Sequence, residues 1–435
     1  MRLSQRIVNA FGAVLDRPPK NGRLVFPRKE DSIRDYTSAG LTPSRLLAIL
    51  READDGSLSS TMQLFEEMEE KDAHLFSVAN TRRLALTGLE WQVVSASDGV
   101  GDPAETRSGT PGGIDAGLAE EAAAYCREVL ASMESLDEAL RHLSLATGRN
   151  IAIAEVVWEA AAGELRPVEI VPIDFTRIVF DEFDRPRILT EDEPRDGIEL
   201  VPAKFIVHTP HSAGGHPQRG GLLRVTAMVY LAKNLALKDW MIFTELFGMP
   251  VRIARYEPNA TAEEKRELLR MLESLGSNAA GIFSRAVELE VIAANRGAPA
   301  PPYESLISFL NREMSKAWLG QTLTTETAGQ SSSFAATRIH EVVRQDVLAD
   351  DIRKEGCTIR RDLLLPMTRF KFGSSAPVPR FRRRQGAARD VEQLARVLDL
   401  AVNRLGAKVP ARWAHDALGM PMSGEGDTSL SGEAR

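Results

Sequence analysis

A long, uninterrupted helical stretch constrains this chain more than any other feature. It runs from Gly220 to Pro250 and contains no helix breaker between the opening glycine pair and the closing Gly248-Met249-Pro250. A glycine just past the last helical turn, followed by a proline, is the usual end of a helix. About 26 residues that rise 1.5 Å each predict a rod of roughly 40 Å, which is long for a globular protein.

Apolar side chains cover more than one face of this predicted rod. They include Leu222, Val225, Met228, Val229, Leu231, Leu235, Leu237, Met241, Ile242 and Leu246. A helix that is apolar around so much of its circumference must be covered on several sides. Lys233, Lys238 and Glu245 interrupt the pattern and make the helix too polar to span a bilayer. We therefore expect a rod that packs against neighbours, and other copies of the same chain are candidates for those neighbours.

Composition excludes several classes of protein. A chain of 435 residues allows two to four domains, and its net charge of -7 argues against binding nucleic acid by bulk positive charge. Two cysteines, Cys126 and Cys357, give no disulfide framework and suit a reducing compartment. The first residues lack the apolar core of a signal peptide, and no stretch predicts a membrane span. We expect the protein to be made and assembled in a cytoplasm.

The hydrophobic pattern before the rod predicts helices and a small sheet. We predict one helix from Ser60 to Gly88, opened by the capping-box spacing of Ser60 and Gln63. Short β-branched runs between residues 151 and 210 predict a mainly antiparallel sheet. We expect the charged, mostly acidic run on the opposite face of the helix to be solvated; it comprises Glu66, Glu67, Glu69, Glu70, Lys71 and Asp72.

The pattern after the rod predicts a small inserted domain and two further helices. Thr261 and Glu264 have the spacing of a capping box, and the strand-like runs VRIARY, GIF and VELEVI complete a β-α-β-β unit of about 50 residues. An amphipathic helix then ends at Gly320. The polar, nearly uncharged segment 321–333 follows it. A long helix begins near Phe334, and we expect it to end before Pro366.

Few residues in the chain indicate catalysis. No phosphate-binding loop, dinucleotide fingerprint or nucleophile elbow is present in the sequence. His208, His211 and His216 form the one histidine cluster, with no acid near them in sequence; we expect a structural role, and a metal site is the alternative. Asp181, Glu182 and Asp184 are expected to form a turn. The arginines of 380–384 suit either DNA phosphates or a subunit contact.

The sequence resembles the portal proteins of Mu-like tailed bacteriophages and prophages. The resemblance rests on four stretches, at 64–93, 220–256, 319–326 and 332–351, and the second is the most specific. It covers most of the chain from about 60 to 375, and the C-terminal 45 residues match less firmly.

The resemblance implies a helix-rich α+β fold with portal architecture. That architecture has a wing, a two-helix stem, an inserted α/β clip, a tunnel loop and a crown. By position, it implies an N-terminal arm and wing at 1–219, stem helices at 220–248 and 301–320 around a clip at 249–300, a tunnel loop at 321–333, a wing or support helix at 334–384, and a crown and C-terminal tail at 385–435.

Candidate site residues follow from these positions. The expected DNA-facing residues are short and polar, without a lysine or arginine to hold a phosphate: Thr322, Thr324, Thr325, Gln330, Ser331 and Ser332. The expected stem residues are Leu222, Lys233, Lys238, Leu306, Leu310 and Trp318. The expected clip docking surface comprises Arg252, Glu264, Arg266 and Arg270.

The resemblance also implies the function and the partners. We expect a non-enzymatic ring of identical subunits, usually twelve, at one capsid vertex of a virion, through which double-stranded DNA enters and leaves. The expected partners are the large terminase, the major capsid and scaffold proteins and a neck or tail adaptor, with no cofactor and no membrane. Two alternatives stay open: a metal-dependent hydrolase using His208, His211 and His216, and a capsid-associated adaptor that binds the portal.

Overall fold

The computed structural model describes most of the chain. The described residues are 25, 37–99, 115–161, 164–210, 216–248, 251–255, 261–274, 288–292, 302–322, 334–384, 391–409, 414–415 and 418. Residues 100–114, the strand run GIF and most of the tunnel-loop segment lie outside them.

Three helices open the described chain: α1 (Pro43–Asp54), α2 (Ser59–Lys71) and α3 (Ala73–Thr87). The prediction of one helix from Ser60 to Gly88 is wrong, because the chain breaks at Asp72. This residue has an extended backbone, and its carboxylate accepts the first free amides of α3. The predicted capping box is also wrong, since α2 starts at Ser59 and Leu58 makes no side-chain cap.

The middle of the chain combines helices with short strands. After β1 (Trp91–Val94) come α4 (Ala116–Ala131), α5 (Leu136–Ser144) and α6 (Ala146–Arg149). The strands that follow are β2 (Ala152–Ala161), β3 (Glu164–Pro172), β4 (Ile178–Phe180), β5 (Pro186–Ile188), β6 (Ile198–Glu199) and β7 (Phe205–His208). They form two antiparallel sheets, ordered β3-β2-β7 and β4-β5-β6. The predicted antiparallel pairing is confirmed, in two sheets instead of one.

The predicted rod is α7 (Leu222–Gly248), with the expected bounds. The predicted inserted unit follows as β8 (Val251–Arg255), α8 (Ala262–Ser274) and β9 (Glu288–Ile292), in which the two strands pair antiparallel. Helix α9 (Tyr303–Leu319) ends at Gly320, whose φ of +69° is the left-handed conformation of a helix stop. The predicted end at Gly320 is confirmed.

The next helix passes through its proline. Helix α10 (Phe334–Ile359) is followed by a π-helical turn (Arg360–Leu364) and by α11 (Leu365–Phe372). The amide of Leu365 donates to the carbonyl of Arg360, and Pro366 sits in the first turn of α11. Within a continuous helix a proline removes one donor and crowds the carbonyl four residues before it, here that of Asp362, and this residue lies in the wider π-helical turn. The expected end before Pro366 is therefore wrong.

The chain ends with β10 (Arg380–Arg383), which pairs with β1, and with α12 (Val391–Asp399), which continues into a π-helical turn (Leu400–Arg404). The contacts divide the chain into two compact units, one of residues 1–88 and 92–382 and the other of 89–91 and 383–435. The first holds the main hydrophobic core, in which Trp318, Tyr230 and Phe65 are the largest buried side chains. Within the part of the chain that the structure describes, no helix is both long and apolar enough to cross a membrane.

Candidate functional site

Helices α7 and α9 lie side by side and run in opposite directions. Near the start of α9, the ring of Tyr303 stacks on Trp240 with centroids 6.4 Å apart. At its other end, Trp318 meets Leu223 beside Gly148, where an added methyl group would lie 2.9 Å from both side chains. The two expected stem helices therefore pack together along α9, which reaches from Leu223 to Phe243 of the longer α7.

Each of these helices buries one face and exposes another. On α7, Leu223, Ala227, Tyr230 and Leu231 are buried in the core. The rest of its surface exposes large apolar side chains on more than one side of the helix, with Met241 72% and Val225 63% accessible. The exposed apolar surface, named here the outer face, comprises Val225, Met228, Leu235, Leu237, Met241 and Ile242 of α7 with Leu306 and Phe309 of α9. It is a large apolar surface for one chain to leave uncovered.

The six expected stem residues separate into core and surface. Leu310 and Trp318 are buried, and Leu222 is half-buried against the core. Leu306 and Lys238 are exposed. Lys233, which interrupts the apolar pattern, is buried, and its Nζ donates to Asp72 Oδ1 at 2.7 Å. This contact joins α7 to the start of α3.

The acidic run of α2 is largely buried, so the expectation of a solvated face is wrong for Glu67, Glu69 and Asp72. Glu67 accepts the backbone amides of Thr37 and Ser38 at 2.6 and 2.9 Å, and it pairs with Lys71. Burial acts to raise the pKa of Glu67, but the hydrogen bonds from Ser38, Lys71 and Thr37 outweigh it and hold that pKa below its usual value.

Glu69 is held between two arginines from elsewhere in the chain. Its Oε1 pairs with Arg83 at 2.5 Å and its Oε2 with Arg149 at 2.8 Å. All three side chains are nearly inaccessible to solvent. Two charged partners compensate the hydration that the buried carboxylate loses. Glu67, Glu69 and Asp72 therefore fix the start of the fold internally, whereas Glu66 and Glu70 are exposed, as expected.

The expected tunnel-loop residues lie mostly outside the described residues. Gln321 is buried and Thr322 is half-buried at the end of α9. The structure does not describe Thr324, Thr325, Gln330, Ser331 and Ser332. Their assignment stays a prediction.

The predicted capping box of the inserted unit is confirmed. The amide of Thr261 donates to Glu264 Oε2 at 2.7 Å, and the amide of Glu264 donates to Thr261 Oγ1 at 3.3 Å. The amide and the hydroxyl of Thr261 both donate to Glu264 Oε2, and these two hydrogen bonds lower the pKa of Glu264. Arg266 and Arg270 are exposed on α8, and the side chain of Arg252 is not described. Docking by this surface stays a prediction.

The described histidines of the cluster have separate partners. His208 is buried, and its Nδ1 lies 2.9 Å from Thr358 Oγ1. His216 Nδ1 bonds to Asp184 Oδ2, an acid that lies 32 positions earlier in the sequence. His211 lies outside the described residues. Within the described ranges, no group of three or more histidine, cysteine, aspartate or glutamate side chains is placed to hold a metal ion.

The predicted turn at Asp181 to Asp184 is confirmed. It connects β4 and β5, and Asp181 Oδ1 accepts the amides of Phe183 and Arg185 at 2.9 Å. Asp184 adopts a φ of +58°, and its carboxylate also accepts a hydrogen bond from Gln218. Both bonds from Gln218 and His216 lower the pKa of Asp184.

The arginine cluster has at least one internal role. Arg383 is buried, and its Nη1 donates to the carbonyl of Leu89 at 2.7 Å. The amide of Arg384 donates to the carbonyl of Glu90 at 2.8 Å. Arg383 therefore helps to hold the second compact unit together. A contact of Arg380, Arg382 or Arg384 with DNA phosphates or another subunit stays a prediction.

Comparison with known proteins shows which family this chain resembles. The chain matches the family described as "Portal protein of Mu bacteriophage" over residues 62–420. It is 30% identical over 402 residues to the Mu-like prophage FluMu protein gp29 of Haemophilus influenzae, covering 91% of this chain and 74% of that protein. It is 28% identical over 393 residues to the portal protein of Escherichia phage Mu, covering 89% and 72%.

A solved structure shares the fold. A chain in the neck of an empty gene transfer agent particle superposes with a TM-score of 0.50 at 11% identity, covering 88% of this chain and 95% of that one. The family match extends from α2 to beyond α12 and thus contains the paired helices, the inserted unit and both antiparallel sheets. The chain therefore belongs to the portal protein family of Mu bacteriophage, and its function is that of a portal, the connector between head and tail.

Proposed function

We propose that copies of this chain close into a ring at one capsid vertex and that double-stranded DNA passes through the ring during packaging and ejection. The observation that carries the proposal is the outer face of α7 and α9. Exposed apolar surface of this extent marks a contact with another molecule. Contacts between unlike surfaces of identical subunits generate a ring when the rotation closes. The gene transfer agent neck with the shared fold was computed with C6 symmetry, which supports a cyclic assembly.

The two helices form the stem in this proposal. Leu222, Lys233, Leu310 and Trp318 hold the stem to its own chain, whereas Leu306 faces a neighbour. Lys238 is exposed on the same helix. Because one face of α7 is buried within the chain and another is exposed, the helix suits a position between its own core and the next subunit. A dodecamer remains the expected subunit number.

The unit β8-α8-β9 forms the clip, at the end of the stem where α7 finishes and α9 begins. Its exposed helix α8 carries the docking surface for the large terminase and later for a neck or tail adaptor. The wing contacts the major capsid and scaffold proteins, and residues 385–435 form the crown. We also infer that the protein acts without catalysis. In support, burial raises the pKa of Cys126 to about 11, so this thiol is a poor nucleophile.

Segment 321–333 forms the tunnel loop and touches the passing DNA. Short polar side chains without positive charge make weak contacts that do not hold a phosphate in place, which suits a polymer that slides. Deleting 324–331 is expected to leave assembly intact and to reduce packaged DNA in an infection-based or in vitro packaging assay. Packaging at the wild-type level in this variant would contradict the assignment.

The ring is tested by electron microscopy of the purified protein, with its mass measured by light scattering. End-on rings with a central hole, and a mass several times that of one 47.8 kDa chain, are expected. The same measurement after co-expression with scaffold protein covers the case in which scaffold starts assembly. A chain that stays monomeric under both conditions would contradict the proposal.

A further inference from the structure

Arg82 in α3 holds two other helices with one side chain. Its Nε and Nη2 donate to the two carboxylate oxygens of Asp351 on α10, at 2.9 and 3.0 Å. Its Nη1 donates to the backbone carbonyl of Trp318 on α9 at 2.9 Å. The Arg82 side chain is 17% accessible and that of Asp351 is 6% accessible. One guanidinium, largely shielded from solvent, therefore spans α3, α9 and α10.

The contact with Trp318 lies at the end of α9. That helix ends at Leu319, and the amide of Gly320 returns to the carbonyl of Lys316. The carbonyl of Trp318 is thus in the last turn of the helix, where the amides that would continue the hydrogen-bond ladder are missing. A cation near a helix C-terminus is also favoured by the helix dipole. Arg82 therefore caps α9 from a neighbouring helix.

The two helices that Arg82 joins are the ones that flank segment 321–333. Helix α9 ends just before this segment, and α10 begins just after it. We propose that Arg82 is a positioning residue that fixes the end of α9 relative to α10 and thereby sets where this segment starts and finishes. The consequence for DNA rests on the proposed function, in which the segment is the tunnel loop.

The arrangement requires an arginine. A planar guanidinium binds both oxygens of a carboxylate in a fixed geometry and still offers a third nitrogen to a carbonyl. A lysine keeps the charge but offers one ammonium on a flexible stem. Arg82→Lys therefore removes the geometry and keeps the charge, and Asp351→Asn weakens the same contact from the other side.

A matched control exists on the same pair of helices. His74 Nε2 of α3 lies 2.8 Å from Ser315 Oγ of α9, one turn before Trp318. Ser315→Ala removes this hydrogen bond between α3 and α9 and leaves Arg82 and Asp351 unchanged. A loss of function that followed any weakening of α3 against α9 would appear in all three variants.

The test measures amide hydrogen exchange in the full-length assembled protein, together with packaged DNA. Arg82→Lys and Asp351→Asn are expected to raise the exchange rate of residues 316–322 about tenfold or more, because local opening becomes easier when a charge-assisted hydrogen bond is lost. Both variants are expected to assemble and to package at least tenfold less DNA. Ser315→Ala is expected to match the wild type in both measurements.

The outcomes separate the two proposals. Unchanged exchange in both variants, with assembly intact, would overturn the positioning role. Failure of both variants to fold, while Ser315→Ala folds, would also overturn it, because Arg82 would then serve stability alone. Faster exchange with normal packaging would support the positioning role and overturn the assignment of segment 321–333 to DNA contact.

Discussion

At the residue scale, buried charged pairs connect parts of the chain that are far apart in sequence. Asp72 and Lys233 are 161 positions apart, and both are nearly inaccessible to solvent. Asp72 also accepts the amides of His74 and Leu75, so it caps α3 while it binds α7. Lys233→Met would leave a buried carboxylate without its cation. We expect the free energy of unfolding, measured by urea denaturation, to fall by about 3–5 kcal/mol.

Lys238 supplies the control on the same helix. Its side chain is exposed, so Lys238→Met is expected to change the free energy of unfolding by no more than about 0.5 kcal/mol. The double variant Asp72→Asn with Lys233→Met is expected to recover part of the loss, because an asparagine still caps α3 and leaves no unpaired charge. Equal stability of the two lysine variants would contradict a structural role for Lys233.

His142 gives the fold a dependence on pH. Burial lowers its pKa to about 4, and the charge of Arg149 acts in the same direction, whereas the hydrogen bond to the carbonyl of Ile153 acts against it. The unfolded chain therefore binds the proton more readily than the folded chain between pH 6.5 and 4. This contribution to stability is complete above pH 6.5 and is lost as the pH falls toward 4, at up to about 1.4 kcal/mol per pH unit.

The His142 contribution is measured by urea denaturation at several pH values between 4 and 7. Other groups also titrate in this range, so the comparison is with His142→Gln, which cannot take up the proton. The variant is expected to lose less stability than the wild type on acidification. Parallel pH curves for the two proteins would show that His142 does not contribute.

At the element scale, the end of α9 depends on a glycine in the left-handed conformation. Gly320 has a φ of +69°, and an added Cβ would lie 2.9 Å from Val343 Cγ1 on α10. Gly40 has a similar φ of +63° and nothing within 4 Å of such a Cβ. Gly40→Ala is expected to lower the free energy of unfolding by about 1 kcal/mol, from backbone strain alone. Gly320→Ala is expected to lower the free energy of unfolding further, because Val343 must also move.

Thermal or urea denaturation of the two glycine variants gives the difference. Adding Val343→Ala to Gly320→Ala is expected to lower the free energy of unfolding by less than the sum of the two single effects. The smaller side chain at position 343 makes room for the new methyl group. If Gly40→Ala and Gly320→Ala lower the free energy of unfolding equally, Val343 does not restrict the side chain at position 320.

At the scale of the whole molecule, two expected stem residues should behave differently. Leu306 lies on the outer face at 44% accessibility, whereas Trp318 is fully buried in the core. Leu306→Asp is expected to leave the stability of one chain within about 0.5 kcal/mol and to prevent ring assembly, because the charge would enter a dry contact between subunits. Trp318→Asp is expected to destabilise the chain itself by more than about 4 kcal/mol.

Size-exclusion chromatography with light scattering reports assembly, and circular dichroism on heating reports the fold. A folded Leu306→Asp protein that still forms rings would remove Leu306 from the subunit contact. A folded, stable Trp318→Asp protein would contradict its place in the core.

The sequence could predict the elements that depend on residues only a few positions apart. The long helix, the stop at Gly320 and the box of Thr261 with Glu264 depend on neighbours along the chain, so all three could be predicted. The turn at Asp181 belongs to the same group. The family could also be recognised from the sequence, because the resemblance is carried by the residues of helix α7 and of the segments around it.

Tertiary structure alone decided which charges are buried. A run of acids on a helix looks the same in sequence when it faces water and when it meets distant partners. Glu69 is paired with Arg149, and Lys233 with Asp72, and no local pattern identifies such pairs. The passage of the helix through Pro366 also required the wide turn at Arg360 and its packing. The sequence by itself determined the long rod α7 and the end of α9 at Gly320, and the fold decided their partners, because periodicity reports the neighbours along a helix and not the side chains that fold onto it.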